Sequence, residues 1–247
     1  MNPFKKDKKQ VSIFITAGFP KIDSLKNQLI EIQSNGIDFV EIGMPFSDPM
    51  ADGEVIQESS KVAIENGMNI SVLFNQLNEM KHEISIPIVL MGYFNPILKF
   101  GFEDFLIRCK SIGIASLIIP DLSFEIYKKY YEKLIVKHDL PLSFLITPKT
   151  EINRIKEIAN HSKNSFVYLV SRNSTTGQIV NFESEAENYK NIQKLVGKVP
   201  LFIGFGIQNR QDVTRVHSVC DGAIIGSAFI KSVLNNKEKE FLMSLKY

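Results

Sequence analysis

Short apolar runs alternate with segments of helical periodicity, and this alternation constrains the fold more than any other feature of the sequence. Eight runs have the character of buried strands: residues 11–16, 39–43, 86–91, 116–119, 142–146, 166–170, 201–205 and 223–225. Helices are expected at 23–35, 55–66, 71–82, 102–111, 124–138, 151–161 and 210–218, with Asp23 and Ser71 as N-caps. Such alternation predicts a parallel sheet, and eight units match a (β/α)₈ barrel, a fold of about 250 residues.

A doubly wound open sheet is the competing fold of the α/β class. The turn after the first run reads Ala-Gly-Phe-Pro at 17–20, which lacks the glycine fingerprint of dinucleotide-binding sheets. No linker rich in Gly, Ser or Pro divides the chain, so residues 1–247 are expected to form one domain. We therefore predict a single (β/α)₈ TIM barrel.

The net charge and the cysteine and histidine residues argue against several classes of protein, namely those that bind nucleic acid, membranes or metal ions. With 29 basic and 27 acidic residues the net charge is +2, which gives no field that would attract nucleic acid or a membrane. Cys109 and Cys220 form no CxxC pair and are expected as buried core residues in a reducing cytoplasm. The four histidines do not cluster; we expect them at solvated helix ends and predict no metal site.

The second predicted strand contains Glu41, the only charged residue in the eight runs. A buried charge is costly unless it is paired or used. Pairing would require a cation that reaches in from a loop, since no predicted strand supplies one. We favour the alternative, in which Glu41 is a general acid/base whose pKa is raised by desolvation.

The loop that follows this strand carries two more carboxylates. Asp52 precedes Gly53 and the predicted helix, so it suits a helix N-cap as well as a catalytic group. Asp48, before a proline, is expected to stabilise a turn. Catalytic residues of barrels lie at the C-terminal ends of strands and in the loops after them, which is where Glu41 and both aspartates fall.

Glycines mark the ends of the last two predicted strands. Gly204 and Gly206 bracket the end of the seventh, and Gly226 and Ser227 follow the eighth. Glycine allows backbone N–H groups to approach a ligand, and a helix N-terminus favours an anion. Because barrels often bind phosphate at these two places, the pair predicts a phosphate site.

A polar, hydroxyl-rich segment at 171–177 follows the sixth predicted strand. It suits either a mobile loop without a role or a lid that closes over substrate, and Gly177 would then add a phosphate-binding N–H. Tyr168, just before it, is either core packing, the default for an aromatic in a strand, or a pocket wall.

The segment VEIGMPFSDPMADG at 40–53 closely resembles the signature of the tryptophan synthase alpha subunit family. Further similarities follow in chain order at 13–18, 91–95, 168–172, 176–177, 204–206 and 226–228. The first signature is highly specific, whereas the glycine motifs are shared by several phosphate-binding barrels.

The resemblance implies a barrel of the ribulose-phosphate-binding type that cleaves indole-3-glycerol phosphate to indole and glyceraldehyde 3-phosphate. Under it, Glu41 would be the main acid/base, Asp52 would accept a hydrogen bond from the indole N–H, and Tyr168 would stand near Glu41. The remaining expected contacts are Phe14 and Met91 in the indole pocket, Thr176 in the lid, and Gly177, Gly204, Gly206, Gly226 and Ser227 around the phosphate end of the substrate.

The resemblance also implies a partner. The chain itself would need no cofactor, and a pyridoxal-phosphate-dependent beta subunit would receive the indole in an α₂β₂ assembly. Residues 173–175 depart from the family's lid pattern, and a short N-terminal segment implies that the helix below the barrel is reduced or missing. The alternatives are another phosphate-binding barrel, such as indole-glycerol-phosphate synthase or a thiamine-phosphate synthase relative, and a non-catalytic regulatory subunit. The absence of Lys from the predicted strands argues against the synthase.

Overall fold

The structure is a computed structural model that describes residues 2–6, 8–170, 182–204 and 206–245, with side chains at 182–184 left out. The strands are β1 (Gln10–Thr16), β2 (Phe39–Gly43), β3 (Ile88–Met91), β4 (Ser116–Ile118), β5 (Phe144–Ile146), β6 (Val167–Val170), β7 (Leu201–Gly204) and β8 (Gly222–Ile225). All pair in parallel, in the order β4-β3-β2-β1-β8-β7-β6-β5.

Helices connect the strands and surround the sheet. They are α1 (Leu25–Ser34), α2 (Glu54–Glu65), α3 (Ile70–Met80), α4 (Phe94–Phe100), α5 (Phe102–Ile112), α6 (Phe124–Ile126), α7 (Glu132–Lys137), α8 (Ile152–His161), α9 (Phe182–Leu195), α10 (Arg210–His217), α11 (Ser227–Leu234) and α12 (Glu238–Ser244). A π-helical turn, Tyr127–Tyr131, joins α6 to α7.

The sheet closes on itself between β4 and β5, the two strands at the ends of that order. The Leu117 amide donates to the Pro141 carbonyl at 3.0 Å, and the Ser143 amide donates to the Leu117 carbonyl at 2.8 Å. These bonds, made by residues just before β5, nearly close the eight parallel strands into a barrel, so the predicted (β/α)₈ barrel is confirmed.

Both predicted N-caps are wrong. Ser24, not Asp23, precedes α1, and it makes no capping hydrogen bond. Helix α3 begins one residue earlier than predicted, and the Asn69 side chain, rather than Ser71, accepts from the Val72 amide. Asn69 is the N-cap because its side-chain oxygen reaches the Val72 amide, which has no acceptor within the helix.

The segment after β3 is also more helical than expected. No helix is predicted between the segments 86–91 and 102–111, but α4 forms there, with Pro96 in its first turn. Proline is tolerated there because the amide it lacks would have no partner within the helix.

The lower end of the barrel is closed by the N-terminal segment. Residues 2–6 and 8–9 contain no helix. Instead, Phe4 is 3% exposed and packs its ring 5.2 Å from Phe39 and 4.9 Å from Phe166. Lys6 Nζ lies 3.1 Å from the buried carboxylate of Asp221 and ties the segment to the start of β8. One aromatic side chain therefore covers the barrel bottom.

Cys109 and Cys220 are buried and unpaired, as predicted for core residues. The expectation that every histidine is solvated is wrong for His217, which is buried with Nε2 3.0 Å from the Gln10 carbonyl, because the start of β1 runs beside the end of α10. No helix of the described residues has the length and apolar character needed to cross a membrane.

Candidate active site

Three phenylalanine rings define the interior of the barrel below the site. Phe39, Phe166 and Phe202 lie within 4.8–5.6 Å of one another. Strand β2 is separated from β6 and β7 in the sheet, so these rings meet across the interior. Side chains two residues apart share a face of a strand. Glu41 and Tyr168 therefore point into the same interior, one layer closer to the C-terminal ends of the strands.

Glu41 is completely buried in the middle of β2. Neither carboxylate oxygen has a hydrogen-bond partner among the described residues, and no cation of that part of the chain forms an ion pair with it. Burial raises the pKa of Glu41 from 4.5 to about 8. The group is therefore mostly a neutral acid at pH 7 and is able to donate a proton to a ligand in the barrel mouth.

Asp52 does not cap helix α2. The N-cap position belongs to Gly53, and no side chain caps that end of the helix. The carboxylate is turned instead toward the loop after β3, where the Tyr93 hydroxyl donates to Asp52 Oδ2 at 2.9 Å. The same hydroxyl oxygen accepts from the Ala51 amide at 2.9 Å. The capping interpretation is therefore wrong, and the half-buried carboxylate faces the barrel mouth.

Tyr93 is the residue of this site that the sequence analysis missed as a functional group. It is 7% exposed, and both its burial and the negative charge of Asp52 raise its pKa well above the usual value. The hydroxyl therefore keeps its proton and can donate to Asp52. The available signal was its position directly beyond β3, at the end where barrel sites are built.

The charges of both carboxylates act on Tyr168 in the barrel interior. Its burial, followed by the negative charges of Glu41 and Asp52, raises its pKa well above the usual value, so the phenol stays neutral. The ring is buried and lies against Gly204 of β7.

Phe14 and Met91 lie on strands that flank β2. Each is 7% exposed, and Gly43 pairs with Met91 in register. The Phe14 ring occupies the space that a side chain at Gly43 would need. Both predicted indole-pocket residues therefore lie at the end of the barrel that contains Glu41.

The predicted phosphate residues are only partly described. Gly206 has a φ of +81°, a conformation that other residues rarely adopt. Gly226 is the N-cap of α11, and Ser227, exposed, is its first residue, with no side chain capping that end. The first amides of α11 therefore point toward the barrel mouth without an intrahelical acceptor. Thr176 and Gly177 lie outside the described residues.

Asp48 lies in a turn, but the bond that forms the turn is made by its backbone rather than by the side chain that the sequence analysis expected to stabilise it. It is exposed, its carbonyl accepts from the Met50 amide at 2.9 Å, and its Oδ2 accepts from the Ser47 hydroxyl. Among the described residues, no group of three or more His, Cys, Asp and Glu side chains is placed to share a metal ion. The site therefore offers a neutral buried acid, a second carboxylate, an apolar pocket and open helix amides.

Comparisons with known proteins give a consistent result. The family profile described as tryptophan synthase alpha chain matches residues 2–246. The tryptophan synthase alpha chain of Flavobacterium psychrophilum is 46% identical over 233 residues, which cover 94% of this chain and 92% of that one. That of Karelsulcia muelleri is 44% identical, with coverage of 98% and 95%. The solved tryptophan synthase subunit alpha from Campylobacter jejuni is 30% identical, with a TM-score of 0.84 and coverage of 98% and 97%.

Proposed function

We propose the following roles for the residues of this chain, which belongs to the tryptophan synthase alpha chain family. It is a carbon–carbon lyase that cleaves indole-3-glycerol phosphate to indole and glyceraldehyde 3-phosphate, a retro-aldol reaction. The assignment of roles rests mainly on one observation: the carboxyl group of Glu41 is fully buried and has no hydrogen-bond partner among the described residues.

Glu41 is proposed as the acid/base. As a neutral acid it donates its proton to C3 of the indole ring, which makes the ring an electron-deficient indolenine. The resulting carboxylate accepts the proton of the hydroxyl on the glycerol carbon attached to C3. The C–C bond then breaks, its electron pair returns to the ring, and that carbon leaves as an aldehyde. A pKa of about 8 suits both transfers, because an acid/base works best when its pKa lies near the working pH.

Asp52 is proposed to accept a hydrogen bond from the indole N–H. Positive charge develops on that nitrogen as C3 is protonated, and a nearby carboxylate stabilises it. Tyr168 is proposed to stand beside Glu41 as a neutral phenol and to help orient the substrate. Phe14 and Met91 would hold the apolar ring between β1 and β3.

The phosphate is proposed to bind at the opposite end of the substrate. Gly206, Gly226 and Ser227 would present backbone N–H groups, and the N-terminus of α11 adds the favourable end of a helix dipole. Thr176 and Gly177, outside the described residues, are proposed to complete the site, and Gly204 is assigned to packing under Tyr168.

The chain needs no cofactor of its own, and pyridoxal phosphate belongs to the beta subunit with which alpha chains of this family pair. An α₂β₂ heterotetramer is typical of the family. We further propose that residues 1–247 form one domain and that the protein works in the cytoplasm, which two unpaired, buried cysteines support.

Release of glyceraldehyde 3-phosphate from indole-3-glycerol phosphate tests these roles, with wild type and Glu41→Gln each assayed in the presence of a beta subunit. We expect turnover by wild type and a loss of at least about 100-fold in the variant, whose amide cannot exchange the proton. Substrate binding to Glu41→Gln, measured by calorimetry, is expected to persist.

A regulatory subunit without catalysis is the alternative. It predicts no release by either protein even when the beta subunit is bound. Equal turnover by both proteins would keep the reaction but remove Glu41 from it.

A further inference from the structure

We propose that Tyr93 is a positioning residue that holds the Asp52 carboxylate in the orientation needed to meet the indole N–H. The inference rests on the proposed function, because it assigns Tyr93 a role only through the role of Asp52. It goes beyond the family resemblance, since it derives from two hydrogen bonds that link consecutive loops of the barrel mouth.

The Tyr93 hydroxyl connects two neighbouring residues of the loop after β2. It accepts from the Ala51 amide and donates to Asp52 Oδ2, both at 2.9 Å. The bond from the Ala51 amide fixes the Tyr93 hydroxyl relative to the backbone of the loop after β2. The bond from this hydroxyl to Asp52 Oδ2 then fixes the carboxylate relative to the same backbone. The orientation of Asp52 is therefore set by a group on the next strand's loop.

The backbone of the loop is held by its own turns and by a side chain of α2, because Gln57 Nε2 donates to the Pro49 carbonyl at 3.4 Å and to the Asp52 carbonyl at 3.0 Å. Its internal bonds form local turns, from the Met50 amide to the Asp48 carbonyl and from the Asp52 amide to the Pro49 carbonyl. Met50 is 90% exposed. These contacts hold the backbone of the loop, whereas the bond from Tyr93 reaches the Asp52 carboxylate itself.

Tyr93 is itself held firmly. Its ring is 7% exposed and lies 5.2 Å from the ring of Phe46. The amide of the next residue, Phe94, donates to Asp121 Oδ1 at 2.8 Å, which fixes the start of α4 to the loop after β4. Three consecutive loops of the mouth are therefore connected, and Tyr93 is the member that contacts a proposed catalytic group.

The test measures kcat and KM for Tyr93→Phe, Asp52→Asn and the double variant with indole-3-glycerol phosphate and a beta subunit. Tyr93→Phe keeps the ring and removes both hydrogen bonds. Hydrogen bonds to charged groups are strong enough that we expect kcat/KM to fall about 10- to 100-fold in the wild-type background. If Tyr93 acts through Asp52, the same change in Asp52→Asn costs less than about threefold.

Tyr131→Phe is the matched control. Its ring packs against Phe94 and Phe102, close to the same segment but away from Asp52, and we expect kcat/KM within about twofold of wild type. Wild-type turnover in the same assay tests the proposed function separately from this inference.

Equal losses from Tyr93→Phe in both backgrounds, or no loss in either, would overturn the inference. Should Tyr93→Phe fold poorly by thermal unfolding, Asp121→Ala replaces it, because that change keeps the Tyr93 side chain but releases the Phe94 amide and so loosens the segment that carries Tyr93. The same non-additivity with Asp52→Asn is then expected, and additive losses again count against the role.

Discussion

The ring of Tyr168 occupies the space in which Gly204 would carry a side chain. A β-carbon at position 204 would overlap the Tyr168 hydroxyl and lie 2.5 Å from Cε2. The two residues belong to neighbouring strands, β6 and β7. Position 204 therefore has to be glycine while the Tyr168 ring lies over it. Without a side chain at 204, the ring has the space that it occupies in the barrel interior.

Gly204→Ala is expected to push the Tyr168 ring toward the substrate space. We expect the free energy of unfolding to fall by about 1–3 kcal/mol, as for other overpacked cores, with a loss in kcat/KM. Tyr168→Leu added to it should restore part of the stability but not the activity.

Gly226→Ala serves as the stability control. A β-carbon at that position would make ordinary contacts, 3.6 Å from Phe14 Cβ and 3.8 Å from Ile56 Cδ1. Chemical denaturation of these three variants and the wild type measures the difference in the free energy of unfolding. Equal destabilisation by the two single alanine changes would show that the Tyr168 contact is not the cause.

The raised pKa of Glu41 predicts a pH-dependent stability. The carboxyl has a pKa of about 8 in the folded chain and an ordinary value of 4.5. Between these values the unfolded chain loses this proton and the folded chain keeps it, so the free energy of unfolding falls by about 1.4 kcal/mol per pH unit from this group. The stabilisation is complete below pH 4.5 and lost as the pH rises through 8.

Glu41→Gln removes this dependence, because an amide does not titrate. The difference between variant and wild type, measured by urea denaturation at pH 5, 6, 7 and 8, should therefore grow in favour of the variant as the pH rises. Parallel curves for the two proteins would mean that Glu41 is not the neutral buried acid described above.

Ser227→Asp tests the phosphate end of the site. A carboxylate in the first turn of α11 is favourable for the helix, so folding should be unchanged or improved by up to about 1 kcal/mol. The same charge repels a phosphate, and we expect KM for indole-3-glycerol phosphate to rise at least about tenfold. Ser227→Asn, neutral and similar in size, should stay near wild type. An unchanged KM in the Ser227→Asp variant would show that the phosphate does not bind at the N-terminus of α11.

Phe4→Ala tests the closure of the barrel bottom. Phe4 is 3% exposed between Phe39 and Phe166, so its truncation should lower the free energy of unfolding by about 3–5 kcal/mol. Val136→Ala, at a side chain 69% exposed, is the control and should change it by less than about 0.5 kcal/mol. Thermal unfolding compares the two variants. Similar unfolding midpoints would show that the N-terminal segment does not close the barrel bottom.

Much of the site followed from local features of the sequence. Glu41 stood out because a charge within a fully apolar strand needs a purpose, and the structure places it in the barrel interior with no partner among the described residues. Asp52 stayed ambiguous, because a carboxylate before a helix suits a cap and a catalytic group equally well. Its hydrogen bond to Tyr93, 41 residues away, decides against the cap.

The barrel could be predicted from the sequence alone, since the alternation of strand and helix is a local property that each segment carries in its own apolar spacing. The sequence also identified the family and the buried acid. Four features became visible only in the folded chain: the closure beside β4 and β5, the cover of the barrel bottom by Phe4, the packing of Tyr168 on Gly204, and the hydrogen bond from Tyr93 to Asp52. Each of these is a contact between residues far apart in the chain, and periodicity predicts which face a side chain is on but not what it will meet across the barrel.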